Sequence, residues 1–376
     1  MRVGVKTKVC HVIECGSLGG CGRMVASICA GLDPQLFDIT VLYAVRPDST
    51  PEEFQALFPH HIHMVFVPDM VRPIHPWRDI RAFWKLYRFF RFNRPDVVHA
   101  HSSKAGILAR FAAWVTGVPR VFYSPHGYSF RMTDAFWIVR SFYFCIEFLA
   151  SRIGFIVVNG PSDERWARKL VGTEKVLPYY NGIDISLLTP QYLEADHAAL
   201  TVATCGRVTA AKNQAAFLRL SACLAKEFPA ATFVWIGGGD ESEIQTLLSE
   251  AKRMHVNGRF HLTGWLPQAR AFQELNKADL VVHYSYWDVL PTAVLEAMAL
   301  GKPVVGSVAA DQIEHGITGF LARNEDELLR YTRELLNSHE LRTFFGRQAR
   351  QVVEEKYSLS RLITQLETAY RPPSVH

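Results

Sequence analysis

Two doubly wound α/β domains are the architecture this sequence predicts, and three observations predict it. Short apolar, β-branched runs alternate with longer segments of helical period, the rhythm of a parallel sheet with helices on both faces. The rhythm runs once through the first half and restarts after Asp184. A chain of 376 residues, 49% of them hydrophobic, is long enough for two buried cores.

The first half reads as strand Lys8–Ile13, helix Cys21–Leu32, strands Asp38–Leu42 and Ile62–Val67, helix Trp77–Phe92, strand Asp96–Ala100, helix Lys104–Thr116 and strand Arg120–Tyr123. The second half reads as strand Leu200–Cys205, helix Gln214–Glu227, strand Ala231–Ile236 and helix Glu241–Met254. A short strand at His261, helix Ala269–Asn276, strand Leu280–Tyr284, helix Thr292–Leu300 and strand Pro303–Gly306 follow. Pro178, Asn181–Gly182 and Pro190 punctuate the junction. The expected domains are 1–183 and 184–376, with the last helix, about 358–371, a candidate to pack back on the first domain. Ligands of such sheets bind beyond the carboxyl ends of the strands. For two facing sheets that place is the cleft between them.

Composition excludes several classes. The seven cysteines include no CxxC pair, which argues for free thiols in a reducing compartment. The basic start runs through a short apolar stretch into glycines and reads as a first strand rather than a signal peptide. The longest apolar candidate, Phe136 to Val158, is interrupted by Arg140, Glu147 and Arg152, so a membrane span is not expected. A net charge of +5 suits an acidic ligand or membrane surface and does not demand nucleic acid.

Five stretches could carry chemistry. CGSLGGCGR (15–23) places glycines between a strand and a helix, where backbone approaches an anion closely. It is not a clean GxGxxG, no acid closes a ribose site after the second strand, and a simple tight turn reads as well. His99 and His101 alternate on one strand, and His126 follows the next strand in SPHGYSF. No carboxylate or cysteine joins them at ligand spacing, so the expectation is no metal. His126 reads as a hydrogen-bonding group for a polar substrate; His99 reads equally as a residue capping a loop.

TCGRVTAAKNQ (204–214) sets Gly206, Arg207 and Lys212 at a strand end before a helix, a site for a diphosphate rather than a solvated pair. IGGGDE (236–241) repeats the strand–glycine–helix pattern, with Asp240 and Glu241 as helix caps. WDVLPTAVLEAMALGKPVV (287–305) holds Asp288 in a strand-end loop and Glu296 about one and a half turns into an apolar helix. Pro291 suits the first helical position, and the amides after it have free N–H groups. A carboxylate only accepts hydrogen bonds, so Glu296 suits the two hydroxyls of a ribose. An acid among Val294, Leu295, Ala297 and Met298 needs a partner.

GRVTAAK, GGGDE, LTGWLP, the Asp-x7-Glu run with LEAMALGKPVV, and EHGITGFL occur in that order, together with SPHG and NGID. Over nearly the whole chain this set resembles retaining GT-B glycosyltransferases of the family-4 (group 1) type, of the kind that builds bacterial surface polysaccharides or lipid-linked oligosaccharides. The resemblance implies a GT-B fold of two Rossmann-like domains facing across a cleft. The first would hold a glycan or lipid-linked acceptor and the second a nucleotide-diphosphate sugar, UDP- or GDP-linked. It implies that Arg207 and Lys212 grip the diphosphate, Glu296 holds the ribose, Asp288 lies by the sugar and His126 reaches it near the reacting carbon. Gly19 and Gly20 match the loop that faces the phosphates. Gly206 and Gly238 match close backbone approaches to the donor. Trp265 and Leu266 belong to the base-binding wall of Thr263–Leu266, and the amides following Leu290, Pro291 and Thr292 would meet phosphate or sugar oxygens. Neither cofactor nor metal is implied, since cations and helix N-termini stabilise the leaving diphosphate. By the same resemblance the acceptor hydroxyl attacks from the leaving-group face and configuration is retained.

Three departures mark the sequence. Asp288 and Val289 stand where glutamate and glycine are usual, VGSVAADQIEHG is a shortened loop, and Gly22 replaces a common acid. Rival expectations are a sugar-nucleotide epimerase of the same fold, a non-catalytic nucleotide-sugar-binding protein and a nicotinamide-dependent enzyme. The poor glycine fingerprint speaks against the last.

WRDIRAFWKLYRFFRF (77–92) places Arg81, Lys85 and Arg88 at helical spacing beside Phe83, Trp84, Tyr87 and Phe90. With the aromatic stretch 132–150 this suits peripheral attachment to an anionic membrane, although ordinary burial would account for the aromatics alone. The expected location is cytoplasmic, on the inner face of the cytoplasmic membrane.

Overall fold

The computed structural model describes residues 6–17, 20–46, 49–71, 73–131, 136–191 and 199–371. They form two compact units. One runs to Gly182 and takes back the segment from Leu359; the other is Ile183–Ser358.

The first unit contains β1 (Thr7–Gly16), α1 (Gly20–Gly31), β2 (Phe37–Val45), α2 (Pro51–Gln55), β3 (His63–Phe66), α3 (Pro76–Asn93), β4 (Val97–His101), α4 (Ser103–Thr116), β5 (Arg120–Ser124), α5 (Trp137–Ala150), β6 (Phe155–Val157), α6 (Pro161–Val171) and β7 (Val176–Leu177). Its seven-stranded sheet is parallel, in the order β3-β2-β1-β4-β5-β6-β7. The second unit contains β8 (Thr201–Cys205), α7 (Gln214–Glu227), β9 (Thr232–Ile236), α8 (Glu241–Arg253), β10 (Phe260–Leu262), α9 (Gln268–Asn276), β11 (Leu280–His283), α10 (Thr292–Ala299), β12 (Val304–Ser307), β13 (Gly319–Ala322), α11 (Glu325–Asn337) and α12 (His339–Lys356). Its six strands are also parallel, ordered β10-β9-β8-β11-β12-β13. The last helix, α13 (Leu359–Tyr370), belongs to the first unit. Two doubly wound sheets of Rossmann type are thus the architecture, as the sequence predicts.

The central strands are apolar throughout because helices cover both faces. Val202, Ala203, Phe233, Val281, Val282, Val304 and Val305 are all buried. Helix starts follow local chemistry. Asp240 and Glu243 form a capping box on α8, and Asn324 caps α11 above three first-turn acids.

In the first unit α1 and α13 cover one face of the sheet, where Met24, Val25, Ile28, Leu362, Leu366 and Tyr370 pack on Val9, Ile13, Val97 and Phe122. The Glu367 carboxylate accepts from the Asp33 amide at 3.1 Å, which ties α13 beside the end of α1. On Gly22 a Cβ would lie 2.1 Å from the Ser17 carbonyl oxygen and 3.0 Å from the Phe54 ring. The acid that the resemblance sets at this position has no room here.

A buried ion pair fixes α5. Arg110 Nη2 donates to Glu147 at 2.7 Å, and the Tyr123 hydroxyl donates to the same carboxylate at 2.6 Å. The guanidinium lies 3.9 Å from the centre of the Tyr123 ring. Glu147, which in the sequence only interrupts an apolar run, is therefore the residue that turns α5 toward the sheet. Replacing it with alanine strands a buried guanidinium, which costs about 3–5 kcal/mol. Urea denaturation of Glu147→Ala is expected to show that loss; a change under about 1 kcal/mol would contradict the role.

Candidate active site

In the second unit the strand order reverses between β8 and β11. Loops leaving two such strands flank the natural ligand position of a doubly wound sheet. β8 ends at Cys205, and Gly206 turns the chain with φ +145°. The Trp235 indole donates to the Gly206 carbonyl at 2.9 Å. Gly238 passes so close beneath Trp265 that a Cβ would sit 2.7 Å from the indole. Trp265 itself is 67% exposed, a flat aromatic face beside the half-buried Leu266.

The two cations expected at this strand end have different partners. Arg207 pairs with Asp240 at 3.0 Å, both of them well exposed. Lys212 closes the short 3-10 turn Ala210–Lys212, and Asn213 follows with φ +53° as the cap of α7. Lys212 Nζ donates to Asp288 Oδ2 at 2.5 Å. The same oxygen accepts from His283 Nε2 at 2.9 Å, and Ser285 Oγ lies 3.1 Å from that nitrogen. Burial by itself would raise the Asp288 carboxyl. The His283 hydrogen bond and the Lys212 charge instead hold it well below the usual carboxylate range. Burial pushes His283 down, against the pull of Asp288, so it is a neutral imidazole with its proton on Nε2.

The loop after β11 delivers Asp288 and then Leu290, whose side chain is buried at a left-handed φ of +45°. Such a backbone costs about 1–3 kcal/mol in a residue with a side chain and persists only where the surroundings impose it. Pro291 is the N-cap of α10, one position earlier than expected: its φ is −60° but its ψ is 119°, an extended backbone. The helix opens at Thr292, whose amide and that of Ala293 precede the first intrahelical acceptor. Glu296 is half-buried between the buried pairs Val294–Leu295 and Ala297–Met298. Burial and the Glu296 charge push the Cys205 thiol up to about 12, which places that carboxylate by the end of β8.

In the first unit the order reverses between β1 and β4. Gly20 is exposed and opens α1, with open space about its Cα; Gly19 lies outside the described residues. His126 follows β5 in a half-buried turn at φ +48°, with Gly127 next at φ +95°. His126 Nε2 is 3.2 Å from His101 Nδ1. His99 does not cap a loop. It lies within β4, fully buried, its Nδ1 2.5 Å from the Tyr370 hydroxyl and its Nε2 2.9 Å from Ser124 Oγ. His11 of β1 joins the pair: its Nδ1 is 2.9 Å from His101 Nε2. Ligand atoms of His11, His99 and His101 lie within 4.8 Å of one another, a grouping that could hold a metal ion. All but one of the His11, His99 and His101 nitrogens pair with a neighbouring histidine or a hydroxyl, so the arrangement is a hydrogen-bonded stack.

Family comparison agrees with this arrangement. The description "Glycosyltransferase Family 4" matches residues 18–187 and "Glycosyl transferases group 1" matches 190–352. The chain belongs to the family-4 type of glycosyltransferase. This glycosyltransferase is 26% identical over 343 residues to the Escherichia coli UDP-Gal:alpha-D-GlcNAc-diphosphoundecaprenol alpha-1,3-galactosyltransferase, covering 85% of each chain. Its fold matches that of Anabaena HepE, solved with UDP, at a TM-score of 0.76 and 18% identity over 96% of this chain and 99% of that one. It also matches the lipopolysaccharide outer core galactosyltransferase WaaB in apo form, at 0.73 and 15% identity over 96% and 99%.

Two residues that the fold brings into these networks carry no local signal in the sequence. His283 ends a strand, the rule that found Asp288, but its role needs the loop to fold back on it. His11 sits mid-strand, and only the pairing of His11 with His99 across β1 and β4 brings it to the stack.

Proposed function

We propose that this glycosyltransferase moves a sugar from a nucleotide diphosphate, a UDP- or GDP-sugar, to a hydroxyl of a lipid-linked glycan acceptor, with retention of configuration and without a metal. The observation that carries the proposal is the Lys212–Asp288–His283 network at 2.5 and 2.9 Å. It holds a cation of the β8 loop against the loop that starts α10, at the point where the strand order reverses. Breaking the anomeric bond builds negative charge on the diphosphate. Lys212, Arg207 and the first amides of α10 supply fixed positive charge for it. Glu296 accepts from the ribose hydroxyls, Trp265 and Leu266 face the base, Gly206, Gly238 and Gly20 let backbone come close, and His126 hydrogen-bonds the sugar. Asp288 shapes the sugar pocket while keeping Lys212 in place. A phosphate oxygen of the leaving group takes the acceptor's proton. The E. coli relative named for a UDP-galactose donor and a diphosphoundecaprenol-linked acceptor supports these substrate classes.

The test is a transfer assay with a panel of UDP- and GDP-sugars and polyprenyl-diphosphate-linked acceptors. The expected result is acceptor-dependent transfer with the donor's anomeric configuration kept in the product, unchanged by EDTA. Inverted product would refute retention. A donor epimerised without acceptor would support an epimerase, and thermal stabilisation by nucleotide sugar without any turnover would support a binding protein.

We further propose that α3 and α5 lay this protein on an anionic membrane. Among the described residues no helix is long and apolar enough to cross one. Yet α5 buries only Glu147 and Ala150, leaving Phe136, Trp137, Ile138, Phe142 and Phe148 exposed. On α3, Trp77, Trp84 and Phe92 are exposed beside Arg81 and Arg88. Ordinary burial therefore does not account for these aromatics. Flotation with vesicles containing anionic phospholipid should carry the protein up and weaken in high salt; a protein that stays at the bottom at low salt would exclude the attachment.

A further inference from the structure

Four histidines of the first unit stand in ring contact, and three are joined nitrogen to nitrogen. His101 stacks between His11 and His126, at centroid separations of 5.2 and 5.5 Å and interplanar angles of 20° and 28°. The links run His126 Nε2 to His101 Nδ1 at 3.2 Å, then His101 Nε2 to His11 Nδ1 at 2.9 Å. The chain ends at His11 Nε2, which is buried and has no hydrogen-bond partner. His99 is stacked alongside but satisfied separately by Tyr370 and Ser124.

A hydrogen-bonded run of this kind has only two proton arrangements. Burial pushes His11 down to about 3 and His126 to about 4, and holds His101 well below the usual range with its histidine neighbours adding to the effect. Each ring is therefore neutral at pH 7 and carries one proton, with one nitrogen donating and one accepting. If His126 donated from Nε2, His101 would donate from Nε2 in turn, and His11 would be left with an N–H on Nε2 buried without an acceptor. If the run points the other way, His11 donates from Nδ1 to His101, His101 from Nδ1 to His126, and the orphan at the end is a bare nitrogen. A buried donor with nothing to bond is the rarer and costlier defect.

We propose that His11, His101 and His126 form one proton-ordered relay, each with its proton on Nδ1, so that the buried His11 fixes His126 as an Nδ1–H donor to the bound sugar. His11 and His101 act as positioning residues, through His126 and without touching substrate. The functional half of this statement rests on the proposed role of His126, and the proton order does not. A wrong histidine tautomer can cripple an otherwise intact site, which is why such an order would matter.

The test is nitrogen-15 NMR on the full-length protein with labelled histidine, supported by kinetics. At pH 7.5 the spectra of His11, His101 and His126 should each show a protonated Nδ1 and a bare Nε2. A protonated Nε2 on His126 or His101 would overturn the relay whatever the activity. In His11→Phe the His126 signals should move toward a mixture of both forms, although residue 11 has no contact with His126. That variant should lose about tenfold in kcat with little change in donor KM. His101→Asn, which keeps an amide donor near the Nδ1 position, should keep more activity than His101→Phe. An unmoved His126 spectrum in His11→Phe would leave His11 as packing and refute the coupling. If His126→Ala keeps full activity while the wild-type proton order is as stated, the proposed sugar contact fails and the relay stands. Should His11→Phe not fold, the wild-type spectrum still decides the proton order.

Discussion

Lys212→Ala is expected to lower kcat/KM by about 10²–10³-fold, the usual cost of removing one preorganised group that meets developing charge. Without Lys212 the leaving diphosphate loses its partly buried cation; Arg207 remains, but it is more exposed and already faces Asp240. The substitution also leaves Asp288 with His283 as its remaining partner, so the carboxylate is expected to titrate higher than in the wild type. Lys212→Arg should rescue little, because a planar fork cannot replace a compact ammonium at 2.5 Å from one carboxylate oxygen. The measurement is initial rates with the donor found in the transfer assay, beside a thermal melt to show that the variant is folded. A folded Lys212→Ala protein within about threefold of wild type would remove Lys212 from the charge-stabilising role.

The Lys212–Asp288 pair also sharpens what the aspartate does. A chain that carried glutamate at 288 would place its carboxylate one methylene further from the backbone. Here the shorter acid sits 19% exposed, wedged between Lys212 and the buried His283. Its position is set by three loops of one unit at once, the β8 turn, the end of β11 and the approach to α10. The residue that departs from the family pattern is thus locked by two local partners, and any effect on sugar choice must work through that network.

Which parts were legible follows from where the information lies. Buried parallel strands write themselves as β-branched runs, so β4, β8 and β11 lie within one residue of their sequence reading, while β1 runs three residues further, to Gly16. The run Phe136–Val158, which holds α5 and β6, reads only as an interrupted apolar stretch, because α5 shows its aromatic residues to solvent and hides its one acid. Composition cannot report that inversion; the Arg110–Glu147 pair makes it. The loops that carry Arg207, Lys212 and Asp288, and the helix start before Glu296, were legible because strand-end glycines, prolines and acids are local signals. His283 and His11 were not, since each becomes meaningful only through a partner brought from another strand or loop. Gly22 reads as a missing acid in sequence and as a steric necessity in the fold, decided by the Ser17 carbonyl.

The histidine stack makes the first unit sensitive to acid. An unfolded histidine titrates near 6.5. In the fold, burial pushes His11 to about 3 and His126 to about 4 and, with added repulsion from neighbouring histidines, keeps His99 and His101 well below their usual value. Above about pH 6.5 both states are neutral and nothing is lost. As the pH falls from there toward the folded values, the unfolded chain binds protons that the fold refuses. Stability then drops by about 1.4 kcal/mol per pH unit for each such histidine. For the four rings the loss reaches on the order of 8 kcal/mol at pH 5, comparable with the whole stability of a domain. Glu14, whose carboxyl burial raises, works in the opposite sense, but it is one group against four. The expected result is a cooperative loss of the first unit between about pH 6 and 5, at a pH where ordinary carboxylates are still ionised. Melting temperatures followed from pH 7.5 to 4.5 should fall steeply over that interval, and His11→Phe should make the slope shallower by about a quarter, one titrating ring in four. A melting temperature that stays flat from pH 7 to 5 would mean that the stack takes up protons in the folded state, and the neutral, proton-ordered arrangement would fall with it.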